Sequence, residues 1–284
     1  MHLCEEGLAA RIGASTLYLI YAKEPFEAVE REITAEREKG EEPELWEVVD
    51  SEHHTLDKVR VKRLKELVHI GFKLSLHCPY DHWINIADRE PSRRKQSIMR
   101  IRESIDAAAE LEALFFNLHP GAYRGFEEDK RRIGVLNTDA IASLCDYAES
   151  RGIVLSVENM PPNIGCFLVT PQEFLDIEEE CSLDLKVTFD AGHANLAGLV
   201  DEFLKTLGER IFEVHVHDNR GGFDEHLEVG LGSIDWLKIV KGLYIRDKSV
   251  YYVAETYKPP FRSVAWLKEK TSAFERRFRF IRGT

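Results

Sequence analysis

The sequence predicts an α/β chain folded as a (β/α)8 TIM barrel, a single domain over residues 1–284. Eight short apolar runs recur along it, each with a polar residue at its end. Amphipathic segments separate them, and such strand–helix alternation implies parallel strands joined by crossover helices. The 284 residues also suit eight such units. An open doubly wound sheet is the competing architecture, but no GxGxxG follows the first run and no Walker loop is present.

In chain order the runs are 10–15 (ARIGAS), 45–50 (LWEVVD), 73–79 (KLSLHCP), 114–120 (LFFNLHP), 153–159 (IVLSVEN), 185–193 (LKVTFDAGH), 211–219 (IFEVHVHDN) and 250–257 (VYYVAETY). Between them Ile98, Ile101, Ile105 and Ala108 recur at helical spacing, as do Ile141, Leu144, Cys145 and Ala148, and Phe203 and Leu207 begin another helix. The connection after the first run is irregular. Residues 24–40 read as a charge-rich helix with Phe26, Val29 and Ile33 as its apolar stripe. A connection leaving a barrel strand starts on the catalytic face, so residues 24–44 are expected there as an acidic helical insertion. A homodimer would cover the stripe.

Bulk composition narrows the function classes. Hydrophobic residues make up 44% of the chain, enough for a large core, and no apolar run approaches the roughly 20 residues of a membrane span. The start, MHLCEEGLAARIG, does not read as a signal peptide. Cys4, Cys78, Cys145, Cys166 and Cys181 are scattered, with no CxxC pair, which fits free thiols and a cytoplasmic protein. The net charge is −12. Residues 24–52 hold twelve acidic and three basic side chains, a net −9, so one stretch sets most of the charge. The basic C-terminus (Arg276, Arg277, Arg279, Arg282) reads as a terminal helix rather than a nucleic-acid contact.

The polar residues at the run ends carry the chemistry. His77, His119, Glu158, Asp190 with His193, His215 and Glu255 end six successive runs, and Asp224 and His226 follow on the seventh loop. Each alone has an ordinary explanation: a hydrogen-bonded histidine before a proline, a buried structural acid, or, for Asp190, a helix N-cap. Together they place acids and imidazoles at one rim, where burial beside Val and Leu is costly unless the charges are paired. A divalent cation, zinc or manganese, turns their mutual repulsion into attraction. On a strand His215 and His217 share a face.

The motifs HCPYDHWIN at 77, NLHPG at 117, VENMP at 157, DAGH at 190, HVHD at 215, DEH at 224 and AET at 254 resemble the xylose isomerase-like TIM barrels, a superfamily that includes AP endonuclease family 2 and many sugar isomerases and epimerases. The resemblance runs from the third strand to the eighth. Its epimerase branch implies one metal held by Glu158, Asp190, His215 and Glu255. Glu158 and Glu255 would also take a proton from one face of a small sugar substrate and return it through an enediolate, with His193 on a substrate oxygen. The endonuclease IV branch implies up to three ions, with His77, His119, His193, Asp224 and His226 as further ligands, acting on abasic DNA. In both, His217 stays outside the ligand set and Asp218 becomes the partner that orients His215.

Several features favour the sugar enzyme. The first-strand motif of the endonuclease is not recognisable in RIGASTLYLI, and MPPNIG replaces a Gly-rich continuation after Glu158. Asp81 stands where an apolar wedge would follow Tyr80. The acidic stretch would oppose the phosphate attraction that dominates DNA affinity. His53, His54 and His82 are read as peripheral. The expected protein is therefore a metal-dependent sugar or sugar-phosphate isomerase or epimerase with one to three ions, and an AP endonuclease is the alternative.

Overall fold

The computed structural model describes residues 11–40, 42–244 and 250–282. Ala10, Cys4 and Glu41 lie outside the described residues, as do the side chains of Arg277, Arg279 and Arg282 in the basic C-terminus. The elements follow in order as β1 (Arg11–Ser15), α1 (Leu17–Tyr21), α2 (Glu27–Lys39), β2 (Leu45–Val49), α3 (Lys58–His69), β3 (Leu74–His77), α4 (Pro91–Glu110), β4 (Phe116–Leu118), α5 (Lys130–Ser150), β5 (Leu155–Glu158), α6 (Pro171–Cys181), β6 (Lys186–Asp190), α7 (Ala191–Ala197), α8 (Val200–Leu207), β7 (Ile211–Val216), α9 (Trp236–Tyr244), β8 (Tyr251–Ala254) and α10 (Phe261–Arg282). The strands close in chain order into an all-parallel barrel, with β1 paired to both β2 and β8. Each strand falls inside one of the expected runs.

Strand residues alternate between two faces. The outward ones, among them Trp46, Val48, Leu76, Phe116, Val157, Phe189 and Val214, are buried under the helices in the main core. Burying each such side chain contributes about 1.5–3 kcal/mol. Inside the barrel Leu45, Phe115, Tyr251 and Val253 form a separate apolar cluster. One pleat further on, the interior turns polar: Glu47 pairs in register with Ser75, Asn117 with Ser156 and Thr188 with Glu213, all buried. One pleat further again stand His77, Glu158, Asp190 and His215, the last two side by side in register.

Helix starts are set by short polar caps. The Asp57 side chain accepts from the amides of Val59 and Arg60 to begin α3, and Thr170 with Glu173 forms a capping box at α6. Asp190 ends β6 and also caps α7, accepting from the His193 amide at 2.6 Å. That cap brings His193 back over the barrel mouth.

The acidic helix expected after the first strand is α2, and it serves as the first crossover. Its start lies at the rim, where His53 and His54 both hydrogen-bond to the Glu24 carbonyl. Its other end delivers the chain to β2 at the far side of the barrel. Residues 24–40 and 42–44 therefore run down the outside of the barrel, and only the beginning of the segment stands at the catalytic face. Phe26, Val29 and Ile33 are buried in the same chain's core, so the stripe leaves no apolar face for a second copy. Glu47 and Asp50, counted in the acidic stretch, are also buried. Among the described residues no helix is long and apolar enough to cross a membrane.

Candidate metal centre

The strands deliver the first group of donors directly. β3, β5, β6 and β7 end on His77, Glu158, Asp190 or place His215 in their last turn of the pleat, while His119 and Glu255 follow β4 and β8 by one residue. Three carboxylates surround His215 Nδ1: Glu255 Oε2 at 3.4 Å, Glu158 Oε1 at 3.5 Å and Asp190 Oδ2 at 3.8 Å. That nitrogen is buried without a hydrogen-bond partner. Four ligands at about 2.0–2.2 Å from a tetrahedral zinc stand about 3.4 Å from one another, so this donor set fits a divalent cation. His77 donates through Nδ1 to the Cys78 carbonyl at 2.8 Å, which leaves Nε2 facing Glu158 Oε2 at 3.7 Å and Glu255 Oε1 at 3.8 Å. His119 Nε2 lies 3.1 Å from Glu158 Oε2, which also accepts from Asn117 at 2.6 Å.

A second group stands on the loops beside it. His193 Nδ1 donates to the Asn159 carbonyl at 2.8 Å, and His226 Nδ1 donates to the Glu255 carbonyl at 2.9 Å. Both Nε2 atoms then face Asp224 Oδ2, at 3.2 and 3.1 Å. His217 joins this group. Its Nε2 donates to both oxygens of Asp190, at 3.0 and 2.9 Å, and its Nδ1 is buried without a partner, 3.7 Å from Asp224 Oδ1.

Burial opposes every charge here, and neighbours decide which survive. Burial would raise Glu158, but His215 and His119 outweigh it and hold the carboxyl well below its usual range. Burial pushes Glu255 up to about 8, only partly offset by His215 and His226. Burial would lower His215, but Glu255 and Glu158 lift it well above its usual value. Burial and then the charge of His119 bring His77 down to about 4. His193 rises to about 10, because Asp190 and Asp224 overcome its burial. Asp224 falls well below the usual range, because hydrogen bonds from His193 and His226 overcome its own burial.

All nine expected ligands thus converge, in two groups. Two expectations need correcting. Asp218 does not orient His215: its carboxylate accepts from the backbone amides of Asn219, Gly230 and Ile234, so it organises the loop. The groups beside His215 Nε2 are Glu47 Oε2 and Glu213 Oε1, each at 3.5 Å. His217, left out of the ligand set by the resemblance, lies in the second group. The period of two holds a signal that would have found these glutamates' layer. Ser75, Ser156, Thr188 and Glu213 each precede a donor (His77, Glu158, Asp190, His215) by two residues and so share its inward face. His53 and His54 bond to Glu24 instead and are peripheral.

The model of the xylose isomerase-like TIM barrel family matches residues 22–280. The chain belongs to that family. It is 34% identical over 206 residues to an uncharacterised protein of Methanocaldococcus jannaschii, covering 70% of each chain. It is 21% identical to a probable endonuclease 4 of Mycoplasmoides gallisepticum over 75% of each. Among solved structures, a D-tagatose 3-epimerase-like protein superposes with a TM-score of 0.83 at 28% identity, covering 94% of this chain and 99% of that one. Sugar epimerases and endonuclease IV-like proteins both stand among its relatives.

Proposed function

We propose that this protein is a divalent-metal-dependent sugar or sugar-phosphate isomerase or epimerase. The observation that carries this reading is the pair Glu158 and Glu255. They approach the same two imidazoles, His77 and His215, from different strands, and their surroundings push their proton affinities apart. In the metal-free chain Glu158 is held ionised, while burial pushes Glu255 up to about 8. Two carboxyls separated in this way are suited to act as base and acid. Glu158, Asp190, His215 and Glu255 would hold the ion, which when bound polarises a carbonyl and an adjacent hydroxyl. Glu158 would take the proton from the substrate carbon between carbonyl and hydroxyl, and Glu255 would return one to that carbon. A cavity of 170 Å³ opens beside His119, walled by Tyr80, Ile84, Met160 and Ile164 with Arg124 at its edge, and it matches a small molecule. The similarity to the D-tagatose 3-epimerase-like structure supports the same reading.

Deuterium uptake from solvent across a panel of ketoses and ketose phosphates tests it. Incorporation that requires added metal and is lost in Glu158→Gln is the expected result. No incorporation into any sugar of the panel overturns it. The second donor group favours one other reading, a metal-dependent endonuclease at abasic sites, since several ions suit phosphodiester hydrolysis. Nicking of a duplex carrying an abasic analogue, lost in His226→Ala, would replace the first reading with the second.

A further inference from the structure

We infer that the cavity between the starts of α4 and α5 is a binding site for a phosphate group. It measures 490 Å³, and Arg89, Arg93, Arg124 and Arg132 line it. In a chain of net charge −12, residues 89–95 carry four basic side chains and one acid, and residues 130–132 are all basic. Arg93 belongs to the first turn of α4 and Arg132 to the first turn of α5, and neither turn holds an acid. Aligned peptide dipoles leave a helix N-terminus positive, which disfavours cations there and favours an anion. Cations gathered from two such turns around one cavity repel one another unless an anion lies among them.

The bonds already made around the cavity separate its wall from its free groups. Asp88 and Glu90 are the acids in its lining, and both are engaged within their own loop. Asp88 Oδ1 accepts from the Glu90 amide at 2.8 Å, and Glu90 Oε1 accepts from the Ser92 amide and hydroxyl at 3.4 and 3.2 Å. Arg89 pairs with Asp129 at 2.9 Å and lies over the Phe126 ring. Arg124 donates from Nη2 to the carbonyls of His82 and Ile84, at 3.0 and 3.1 Å, and so ties the loop after β4 to the loop after β3. The guanidinium groups of Arg93 and Arg132, among the described residues, make no hydrogen bond or ion pair. Guanidinium is the side chain best matched to phosphate oxygens. Two free ones, from different helices, suit a dianion with three terminal oxygens. Barrels of this architecture commonly bind phosphate after their seventh and eighth strands, whereas these cations follow β3 and β4. The cavity shares Asn85, Ala122 and Arg124 with the one beside His119. Asn85 braces that common wall by bonding to the Ala122 amide and carbonyl, at 2.9 and 2.8 Å. The phosphate is either one end of a sugar-phosphate substrate or a separate ligand, and only the first of these rests on the sugar-epimerase reading.

The test titrates the metal-free full chain with inorganic phosphate by calorimetry, so that no bound ion can hold the phosphate. One saturable site per chain is expected. Arg93→Ala and Arg132→Ala should each weaken it at least about tenfold. Arg131→Ala, next to the cavity but outside its lining, should change it less than about twofold, because an exposed charge is screened. Absence of saturable binding overturns the inference, as does unchanged affinity in the folded Arg93→Ala/Arg132→Ala double variant. Kinetics of the metal-loaded chain with D-fructose 6-phosphate and D-fructose then separate the sources. A preference for the phosphorylated sugar that falls at least about tenfold in Arg93→Ala assigns the phosphate to the substrate. A preference that does not move, beside phosphate binding that does, assigns the site to a separate ligand. Phosphate binding lost in the variants, in a chain that incorporates deuterium into no sugar, would remove the epimerase reading and leave this site standing.

Discussion

The two donor groups are built differently. Those around His215 stand at the ends of β3 to β8, where the register of a closed barrel fixes each side chain against its neighbours. Those around Asp224 stand on the start of α7 and on the loop after β7, and local devices hold them. Asp218 ties three loop amides, and His226 adopts a left-handed backbone with φ 43°. The first group is rich in carboxylates, and the second has three imidazoles and one carboxylate. The barrel register thus holds one group of donors rigidly, and a loop that depends on local hydrogen bonds holds the other.

Four experiments bear on that contrast. Glu158→Gln should lower deuterium exchange into substrate by about a hundredfold to ten-thousandfold, while the fold, read by circular dichroism, stays intact. Loss of the fold instead would show that the strand-held group is not independently rigid. Asp218→Ala removes the acceptor of three backbone amides, each worth about 1 kcal/mol. It should lower the urea midpoint while leaving zinc binding by the strand-held group unchanged. Loss of that binding as well would erase the distinction between the groups. Glu213→Gln leaves Glu47 as the one carboxylate flanking His215 Nε2. Zinc affinity of the strand-held group should fall about tenfold in a competition titration with a chromophoric chelator.

The mildest perturbation is pH applied to the metal-free chain. Glu255, Glu213 and His193 bind protons more tightly folded than unfolded, with values of about 8, about 7 and about 10. Between about pH 7 and about pH 9, where the lowered His77, His54 and His217 are neutral in both states, the folded chain therefore holds more protons than the unfolded one, and stability falls as pH rises. The metal-free melting temperature should decline across that window. Added zinc should flatten the decline, since the ion takes the place of those protons. A rising melting temperature in the metal-free chain would contradict the arrangement of charges described for both groups.

Much of this was legible in the sequence because the barrel repeats. A polar residue closing an apolar run, six times over, is visible without coordinates, and together with the family resemblance it pointed to nine residues from His77 to Glu255 that stand together at the barrel mouth. The exterior and interior of a strand are harder to separate. In β2 every residue is buried, so Glu47 looked like part of an exposed acidic stretch when it faces the barrel interior. Phe26, Val29 and Ile33 looked free for the same reason: a helical stripe does not announce which surface covers it. Asp218 and His217 were hard to tell apart because both follow His215 closely. Strand parity keeps His217 on the site's side, whereas the loop's return to Leu227 turns Asp218 toward the backbone.

The apolar cluster of Leu45, Phe115, Tyr251 and Val253 has one more consequence. It fills the interior of the barrel on the side away from the donors. In the proposed epimerase, a proton taken up at Glu158 would exchange with water through the mouth rather than through this plug, which would couple isotope washout to product departure.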